Sequence, residues 1–432
     1  MTCVSVILAI IVVILTIVIA FNSYLRALQK RHRAPVLASE IHTVVTEDGW
    51  TLYLYRRAPA NGRGEPVFLC HGLATNHYNF LLPAHASITD ALVEAGYDCW
   101  LVDLRACSTA VPPLGASNLD ATMDDLLLRD IPAVLDHITK ATGYDKVHWV
   151  GHSMGGMLLY AYELRFGNAR LASAVTLGAP IGFGGVRHKS HSFLVAIAHY
   201  VHRFMSNAFR ALTPLISSRK FKVRLLPINW DNTDKSIGAA EVYHAMELPL
   251  PHIGGQMNAW ASTQSWTMCG GALDIPARLN ELQTPLLAIF GRSDPFIPQN
   301  RARAFFDDLP NPDKKFLVLS KENGHSADYN HIDLAVSTNG PAEVQQPIVE
   351  WIKAHPIRAQ IPAPVAEAAA PKPKATPKKK AASASVAAKT IAKAKAPSSE
   401  VKKKSASKPK PKAKIAAKPK AKTTSKVRGK KS

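Results

Sequence analysis

The sequence predicts an α/β protein built on a mostly parallel sheet with helices on both faces. Two observations support this prediction. Short, continuous apolar runs alternate with amphipathic stretches from about residue 43 to residue 357, and one run leads directly into a Gly-His-Ser-Met-Gly turn at 151–155. Continuous apolar runs are typical of strands buried on both faces, and their alternation with helices is typical of a parallel sheet.

The first element is an apolar segment, Cys3–Phe21, that contains no charged residue. As a helix it would rise about 28 Å, close to the hydrocarbon thickness of a bilayer. Basic residues follow it, from Arg26 to Arg33, so the positive-inside rule places the C-terminal side in the cytoplasm. We therefore predict a single-pass transmembrane anchor at 1–22, a basic juxtamembrane linker at 23–42 and a cytoplasmic catalytic domain. The alternative is an export signal, although the basic region and cleavage site typical of such signals are missing.

The alternating region predicts seven strands and five helices. The predicted strands are Trp50–Arg56, Pro66–Cys70, Asp98–Asp103, Val147–Val150, Ala172–Leu177, Leu286–Phe290 and Lys315–Leu319. The predicted helices are Pro83–Glu94, Met123–Thr142, Met154–Phe166, Arg301–Asp308 and Ala342–Ala354. The second helix is expected to break or kink near Pro132.

The alternation is interrupted once, between Leu177 and Leu286, by more than a hundred residues. That length is too great for one crossover connection, so we expect an inserted helical cap at 182–270 between two parts of the sheet domain, 43–181 and 271–357.

Within the cap, apolar residues recur at three- and four-residue intervals from Phe193 to Ala208, as on one face of an amphipathic helix. One interpretation is a helix packed on the core through its apolar stripe. The other is a mobile lid whose stripe lines an acyl-chain site, and the two interpretations are compatible.

The C-terminal segment, 358–432, differs in composition from the rest of the chain. Residues 360–432 contain 22 Lys or Arg and 2 Glu, whereas the other residues hold 31 basic and 30 acidic side chains. A Lys-, Ala- and Pro-rich segment without aromatic residues buries too little apolar surface to offset chain entropy, so we predict a disordered basic tail. Its charge is compatible with non-specific binding to nucleic acid or with contact to anionic lipid headgroups. A solvated tail with neither partner is the third interpretation.

The turn at 151–155 follows the apolar run Val147–Val150 and precedes the predicted helix Met154–Phe166. A serine on a sharp strand-to-helix turn needs small residues on both sides, because its backbone is strained. Such a turn lifts the hydroxyl clear of the sheet, so Ser153 is the predicted nucleophile. The alternative is a glycine-rich turn around an inert serine.

A serine nucleophile requires a general base, an acid that orients the base, and donors for the oxyanion. The predicted acid is Asp294, which follows the strand Leu286–Phe290 on a turn made by Gly and Pro. Two histidines, His325 and His331, follow the last predicted strand and are candidates for the base. Position alone favours His325 slightly.

The predicted oxyanion donors are two backbone N–H groups. One belongs to Met154, directly after the nucleophile, and the other to Leu73, in the loop after the strand Pro66–Cys70. Gly72 would allow the chain to turn so that the Leu73 N–H faces the pocket.

These segments resemble the α/β-hydrolase family, and within it the acid lipases of the gastric and lysosomal type and their bacterial relatives. The segments that carry the resemblance are Thr46–Leu52, Pro66–Leu73, Gly96–Leu101 and Gly151–Gly155. The similarity extends over roughly 44–351 and is weakest in the cap. It implies an α/β-hydrolase fold and a lipase or esterase that cleaves carboxylic, and specifically lipid, esters.

In that family the base is the histidine of a Tyr-x-His-x-Asp segment, which Tyr329–Asp333 matches. The resemblance therefore moves the assignment of the base to His331, with His325 as the alternate. The chain departs from the family at Asp103–Cys107, where relatives usually carry Arg-Gly, and at Met154, where they often carry Gln.

The predicted function is hydrolysis of esters by Ser153, Asp294 and His331 through an acyl-enzyme. Two alternatives use the same chain differently: acyl transfer by the same triad, or a catalytically silent tether between membrane and nucleoid. No metal or other cofactor is predicted, because the five cysteines are scattered and neither a zinc-protease nor a phosphate-loop motif occurs.

Overall fold

The structure is a computed structural model. It describes residues 3–31, 37–180, 208, 211–212, 227–237, 239–247, 249–263, 265–297 and 299–357. The predicted tail and, apart from Ala208, the predicted cap helix lie outside the described residues.

The strands alternate with helices along the chain, as predicted. The strands are β1 (Glu40–Val45), β2 (Thr51–Arg57), β3 (Pro66–Cys70), β4 (Asp98–Asp103), β5 (Val147–His152), β6 (Leu171–Leu177), β7 (Thr267–Met268), β8 (Leu273–Asp274), β9 (Leu286–Gly291) and β10 (Lys314–Leu319). The helices are α1 (Cys3–Arg31), α2 (Ile88–Glu94), α3 (Ile131–Thr142), α4 (Met154–Phe166), α5 (Ala239–Ala245), α6 (Pro251–Thr263), α7 (Gln299–Asp308) and α8 (Gln346–Ala354). Shorter helical turns include His77–Phe80, Met123–Asp125, Leu126–Asp130, Ile275–Arg278, Asp333–Val336 and Pro341–Gln345.

Eight of the strands form one sheet in the order β1-β2-β4-β3-β5-β6-β9-β10. The pairs from β4 to β10 are parallel, and β1 and β2 add an antiparallel edge. Side chains of β3 alternate between the two faces, with Phe68 and Cys70 in one buried apolar cluster and Val67 and Leu69 in the other. The predicted α/β architecture with a mostly parallel sheet is therefore confirmed, and β5 brings the turn at 151–155 to the middle of the sheet.

Several elements differ from the sequence prediction, among them the two short strands β7 and β8, which were not predicted. The strand β1 was not predicted, because Val44 is its one buried residue and the strand lacks an apolar run. The helix α2 begins at Ile88 and not at Pro83, because Ser87 and Asp90 form a reciprocal capping box that fixes its first turn. The predicted break near Pro132 is a π-helical turn, Leu126–Asp130, that joins α3 to the helical turn before it.

The helix α1 contains an 18-residue window, Ile11–Leu28, that is long and apolar enough to cross a membrane; a signal sequence near an N-terminus has the same properties. The helix continues past residue 22 to Arg31, because residues 23–31 contain neither Pro nor Gly. Its apolar side chains are largely exposed from Ile11 to Ile19, whereas Leu25 and Leu28 are buried. The Tyr24 hydroxyl donates a hydrogen bond to the carbonyl of Ala211 (3.2 Å).

Candidate active site

Ser153 lies on a strained turn between β5 and α4. Its backbone has φ 51° and ψ −115°, a conformation that non-glycine residues rarely adopt. The strand is anchored at this point by a hydrogen bond from the Ser153 N–H to the Leu177 carbonyl (2.8 Å). A Cβ atom at Gly155 would lie 2.0 Å from the Cys70 carbonyl oxygen, so only glycine allows the helix to start this close to β3.

His331 and Asp294 lie together at the carboxyl-end edge of the sheet. The His331 Nδ1 is 2.7 Å from the Asp294 Oδ2, and both side chains are buried. The other Asp294 oxygen accepts a hydrogen bond from the Phe296 N–H (2.9 Å), which fixes the carboxylate. The Phe296 ring meets the His331 imidazole edge-on, with ring centroids 4.9 Å apart. The Nε2 atom of His331 is thereby left as the nitrogen that faces away from the carboxylate.

The alternate base, His325, occupies a different place. Its Nδ1 contacts the backbone N–H and carbonyl of Ser320 (3.3 and 3.2 Å), within its own loop. His331, in contrast, lines the same cavity as Ser153, and His325 is not among the described residues of that cavity. The Ser153 hydroxyl and the His331 ring form no hydrogen bond in the described part of the chain; in free enzymes such contacts are often long and tighten with substrate.

The two predicted oxyanion donors belong to Met154, which follows Ser153 in the chain, and to Leu73, which lines the same cavity as Ser153. Among the described residues, neither the Leu73 nor the Met154 backbone N–H donates a hydrogen bond to a protein acceptor. The two backbones approach closely at Gly72, where a Cβ atom would lie 3.2 Å from the Ser153 Cβ. Two N–H groups without protein acceptors beside a serine can stabilise a negative oxygen.

Polar contacts of buried side chains hold the loop that carries Leu73. The His71 Nδ1 contacts the Gly72 carbonyl (2.8 Å), which places the ring proton on Nδ1, and its Nε2 lies 3.2 Å from the Cys107 Sγ. Burial raises the pKa of the Cys107 thiol and lowers the pKa of His71, so a neutral thiol donates to a neutral imidazole. These contacts therefore hold the loop against the segment 104–107, which follows β4.

The donor atoms of His71, Asp103 and Cys107 all lie within 4.8 Å of one another, the spacing of a metal-ligand set. Each of them already has protein partners. Asp103 accepts hydrogen bonds from the His77 backbone N–H (2.8 Å), the His77 Nδ1 (2.9 Å) and the Thr109 hydroxyl (2.7 Å). These hydrogen bonds account for the cluster without a metal ion.

Arg105, which lies in the same segment after β4, is almost fully buried. It donates to Asp130 through Nε (2.7 Å) and to Asp48 through both terminal nitrogens (2.8 and 3.0 Å). Hydrogen bonds from the arginines Arg105 and Arg129, together with one from Thr46, hold the pKa of Asp48 well below its usual range despite the opposing effect of burial. Arg105 thus ties three segments of the core together.

Two polar residues near the nucleophile were not predicted as site residues, His152 and Asn79. The His152 Nδ1 lies 2.8 Å from the Asn79 side-chain oxygen position, and its Nε2 lies 3.2 Å from the His331 carbonyl oxygen. Burial, with a smaller contribution from the neighbouring His331, lowers the pKa of His152 to about 3. His152 is part of the turn motif, but its contact with a residue 179 positions later exists only in the folded chain.

Ser153 and His331 open into an apolar cavity with a volume of about 510 Å³. Among the residues that the structure describes, no Lys, Arg, Asp or Glu lines this cavity. One wall comes from the sheet domain, including Leu82 and Ala335, and the other comes from residues between 227 and 261, within the predicted cap. Ligand pockets of this size are lined mainly by apolar side chains with a few placed polar groups, as here.

Comparison with known proteins gives one family match and several relatives. The family described as alpha/beta hydrolase fold matches residues 65–331. Lipase 1 of Drosophila melanogaster is 24% identical over 331 residues, which cover 68% of this chain and 72% of the relative. Triacylglycerol lipase 2 of Arabidopsis thaliana is 30% identical over 158 residues, 33% of this chain and 38% of the relative.

A gastric triacylglycerol lipase of Bos taurus is 37% identical over 130 residues, which are 27% of this chain and 32% of the relative. This chain thus spans about a third of the length of the gastric and plant relatives and most of the length of the insect one. Among solved structures, an esterase from Thermogutta terrifontis is 20% identical with a TM-score of 0.48, covering 74% of this chain and all of that one.

Proposed function

The chain belongs to the α/β-hydrolase family, and we propose that it is a serine esterase that cleaves lipid esters with Ser153, His331 and Asp294. The observation that supports this most is the position of a serine on a strained turn, with His331, which is paired with Asp294, lining the same apolar cavity. The lipase relatives support hydrolysis of carboxylic esters as the reaction class.

In the proposed mechanism, the Ser153 Oγ attacks the ester carbonyl carbon and its proton passes to the His331 Nε2. The Leu73 and Met154 N–H groups hold the resulting oxyanion. The carbonyl then re-forms, the bond to the leaving oxygen breaks, and Nε2 returns the proton to the alcohol. Water attacks the acyl-enzyme by the same path and releases the acid. Asp294 keeps the imidazole proton on Nδ1, so that Nε2 can accept.

The proposed substrate is an ester of an apolar acyl group. The cavity beside Ser153 is lined mainly by apolar side chains, and its lining within the described residues carries no Lys, Arg, Asp or Glu that would pair with an ionic substrate. Removal of apolar acyl surface from water would contribute about 25 cal/mol per Å² to binding. A preference for long over short acyl chains follows from this lining.

The experiment that tests the proposal is hydrolysis of p-nitrophenyl esters from acetate to palmitate by the full chain in detergent. We expect Ser153→Ala to lower kcat by about 10⁴-fold or more, as in other serine triads. The matched control is Ser236→Ala, which removes an exposed hydroxyl that donates a hydrogen bond to Asp234. No turnover of any ester by the folded wild-type chain would contradict the proposal and favour acyl transfer or a tether.

We also propose that α1 anchors the enzyme in a membrane with the catalytic domain on the cytoplasmic side. The apolar window Ile11–Leu28 and the basic residues around Arg31 support this arrangement. The full chain should stay in the membrane fraction after alkaline extraction, and protease added outside intact cells should leave the catalytic domain uncut. A mature chain that lacks α1 would identify the helix as a cleaved signal.

A further inference from the structure

A buried pair of side chains connects the nucleophile turn to the loop that carries the base. Asn79 lies on the helical turn His77–Phe80, and its amide contacts the His152 Nδ1 at 2.8 Å. On its other edge, the His152 Nε2 lies 3.2 Å from the His331 carbonyl oxygen. The centroids of the two imidazole rings are 4.9 Å apart. None of the proposed chemical steps uses His152.

The donors and acceptors of this pair determine the tautomer of His152. The ring is neutral, since burial lowers its pKa to about 3, and a neutral imidazole has one N–H. The His331 carbonyl can only accept, so the proton lies on Nε2 and Nδ1 must accept. Asn79 can donate to Nδ1 only through its amide nitrogen.

The surroundings of Asn79 agree with that orientation of the amide. With its oxygen toward His152, the buried amide nitrogen of Asn79 has no partner among the described residues. That orientation gains only a long contact of 3.5 Å from the Gly72 N–H. If the Asn79 amide is turned by about 180°, both nitrogens of His152 have a hydrogen-bond partner, and the Asn79 side-chain oxygen is then the atom without a strong partner. A buried oxygen without a partner costs less than a buried N–H without one.

We propose that His152 is a positioning residue that donates from Nε2 to the His331 carbonyl and so fixes the base relative to the adjacent Ser153. Asn79 selects the tautomer that makes this donation possible. The inference rests on the proposed esterase function, because it concerns the same site. His331 lies on an irregular segment between β10 and the short helix Asp333–Val336, so its backbone needs such a contact to hold the ring in place.

The test compares two variants of the full chain on one p-nitrophenyl ester. His152→Leu removes the donor and should lower kcat about tenfold at an unchanged KM, the effect of one lost buried hydrogen bond. His152→Gln offers an amide N–H to the carbonyl and an oxygen to Asn79, so its kcat should stay within about threefold of wild type. Equal losses in the two variants, or a wild-type kcat in His152→Leu, would overturn the positioning role.

Ser153→Ala in the same assay separates this inference from the function on which it rests. Activity retained by Ser153→Ala contradicts the esterase mechanism, whereas an inactive Ser153→Ala beside a fully active His152→Leu contradicts only the positioning role. A loss above about 10³-fold in both His152 variants would mean that the ring transfers protons itself, and would also overturn the proposal.

A second measurement does not depend on how the variants fold. The ¹⁵N resonances of histidine-labelled full-length protein distinguish the two neutral tautomers of a ring. His152 should carry its proton on Nε2 from pH 6 to pH 8. A proton on Nδ1 would leave two lone pairs facing each other at the His331 carbonyl and would overturn the assignment.

Discussion

Replacement of His152 by Gln should reduce the loss of stability in acid. In the folded chain, burial lowers the pKa of this histidine from 6.5 to about 3. The unfolded chain binds a proton near pH 6.5, while the folded chain does so only near pH 3. The stability associated with the neutral ring is therefore present above pH 6.5 and is lost as the pH falls toward 3.

The size of the effect follows from the two pKa values. A pH of 4.5 lies two units below the pKa of the unfolded chain and above that of the folded chain. The free energy of unfolding is therefore lower by about 2.7 kcal/mol at this pH, at 1.36 kcal/mol per pH unit. The assay is urea unfolding of the full chain in detergent at pH 7.5 and pH 4.5 for wild type and His152→Gln. Titrating groups that do not contact His152 are common to both proteins and cancel in the comparison.

Between pH 7.5 and pH 4.5, the free energy of unfolding of wild type should fall by about 2.7 kcal/mol more than that of His152→Gln. Ser236→Ala is the control, because it removes an exposed hydroxyl that does not titrate between the two pH values, and it should behave as wild type. Equal losses in wild type and His152→Gln would refute the argument that His152 is buried and neutral.

The remaining predictions concern the base, the turn, the pocket and the core. His331→Ala should lower kcat by about 10⁴-fold or more, whereas His325→Ala should keep it within about threefold, and the reverse order in ester hydrolysis would exchange their roles. Gly155→Ala should destabilise the chain by about 3 kcal/mol or more in urea unfolding, since its Cβ would overlap the Cys70 carbonyl. Ala335→Phe should lower kcat/KM for palmitate about tenfold relative to butyrate, because the ring fills part of the cavity. Arg105→Met should lower the free energy of unfolding by about 3–5 kcal/mol, because it leaves the buried Asp130 carboxylate without its arginine partner while Asp48 keeps Arg129, and an unchanged urea midpoint would contradict this.

The central strands could be predicted from the sequence, because burial on both faces leaves a continuous apolar run that polar residues do not interrupt. β3 and β4 have the predicted bounds for this reason. The edge strand β1 has one buried residue, Val44, so its sequence contains no apolar run. Its pairing with β2 depends on backbone hydrogen bonds, which any residue other than proline can form. The start of α2 was readable in principle, since Ser87 and Asp90 have the spacing of a capping box.

In the candidate site, too, some residues have a local sequence signal and others do not. Ser153 and Asp294 follow local motifs, a strand-to-helix turn and a turn after a strand, so the sequence points to both. The choice between two histidines depends on a contact with Asp294, 37 positions away in the chain, and position alone favours the wrong ring for that contact. Asn79 has no local signal at all, because its partner is brought to it only by the pairing of β3 with β5.

The most direct test of the central claim is the rate of p-nitrophenyl ester hydrolysis by the full chain beside Ser153→Ala. The proposed mechanism predicts turnover that rises with acyl length in wild type and falls by about 10⁴-fold or more in the variant, with an unchanged urea midpoint. Activity of Ser153→Ala within about tenfold of wild type would contradict the assignment of the nucleophile and, with it, the proposed mechanism.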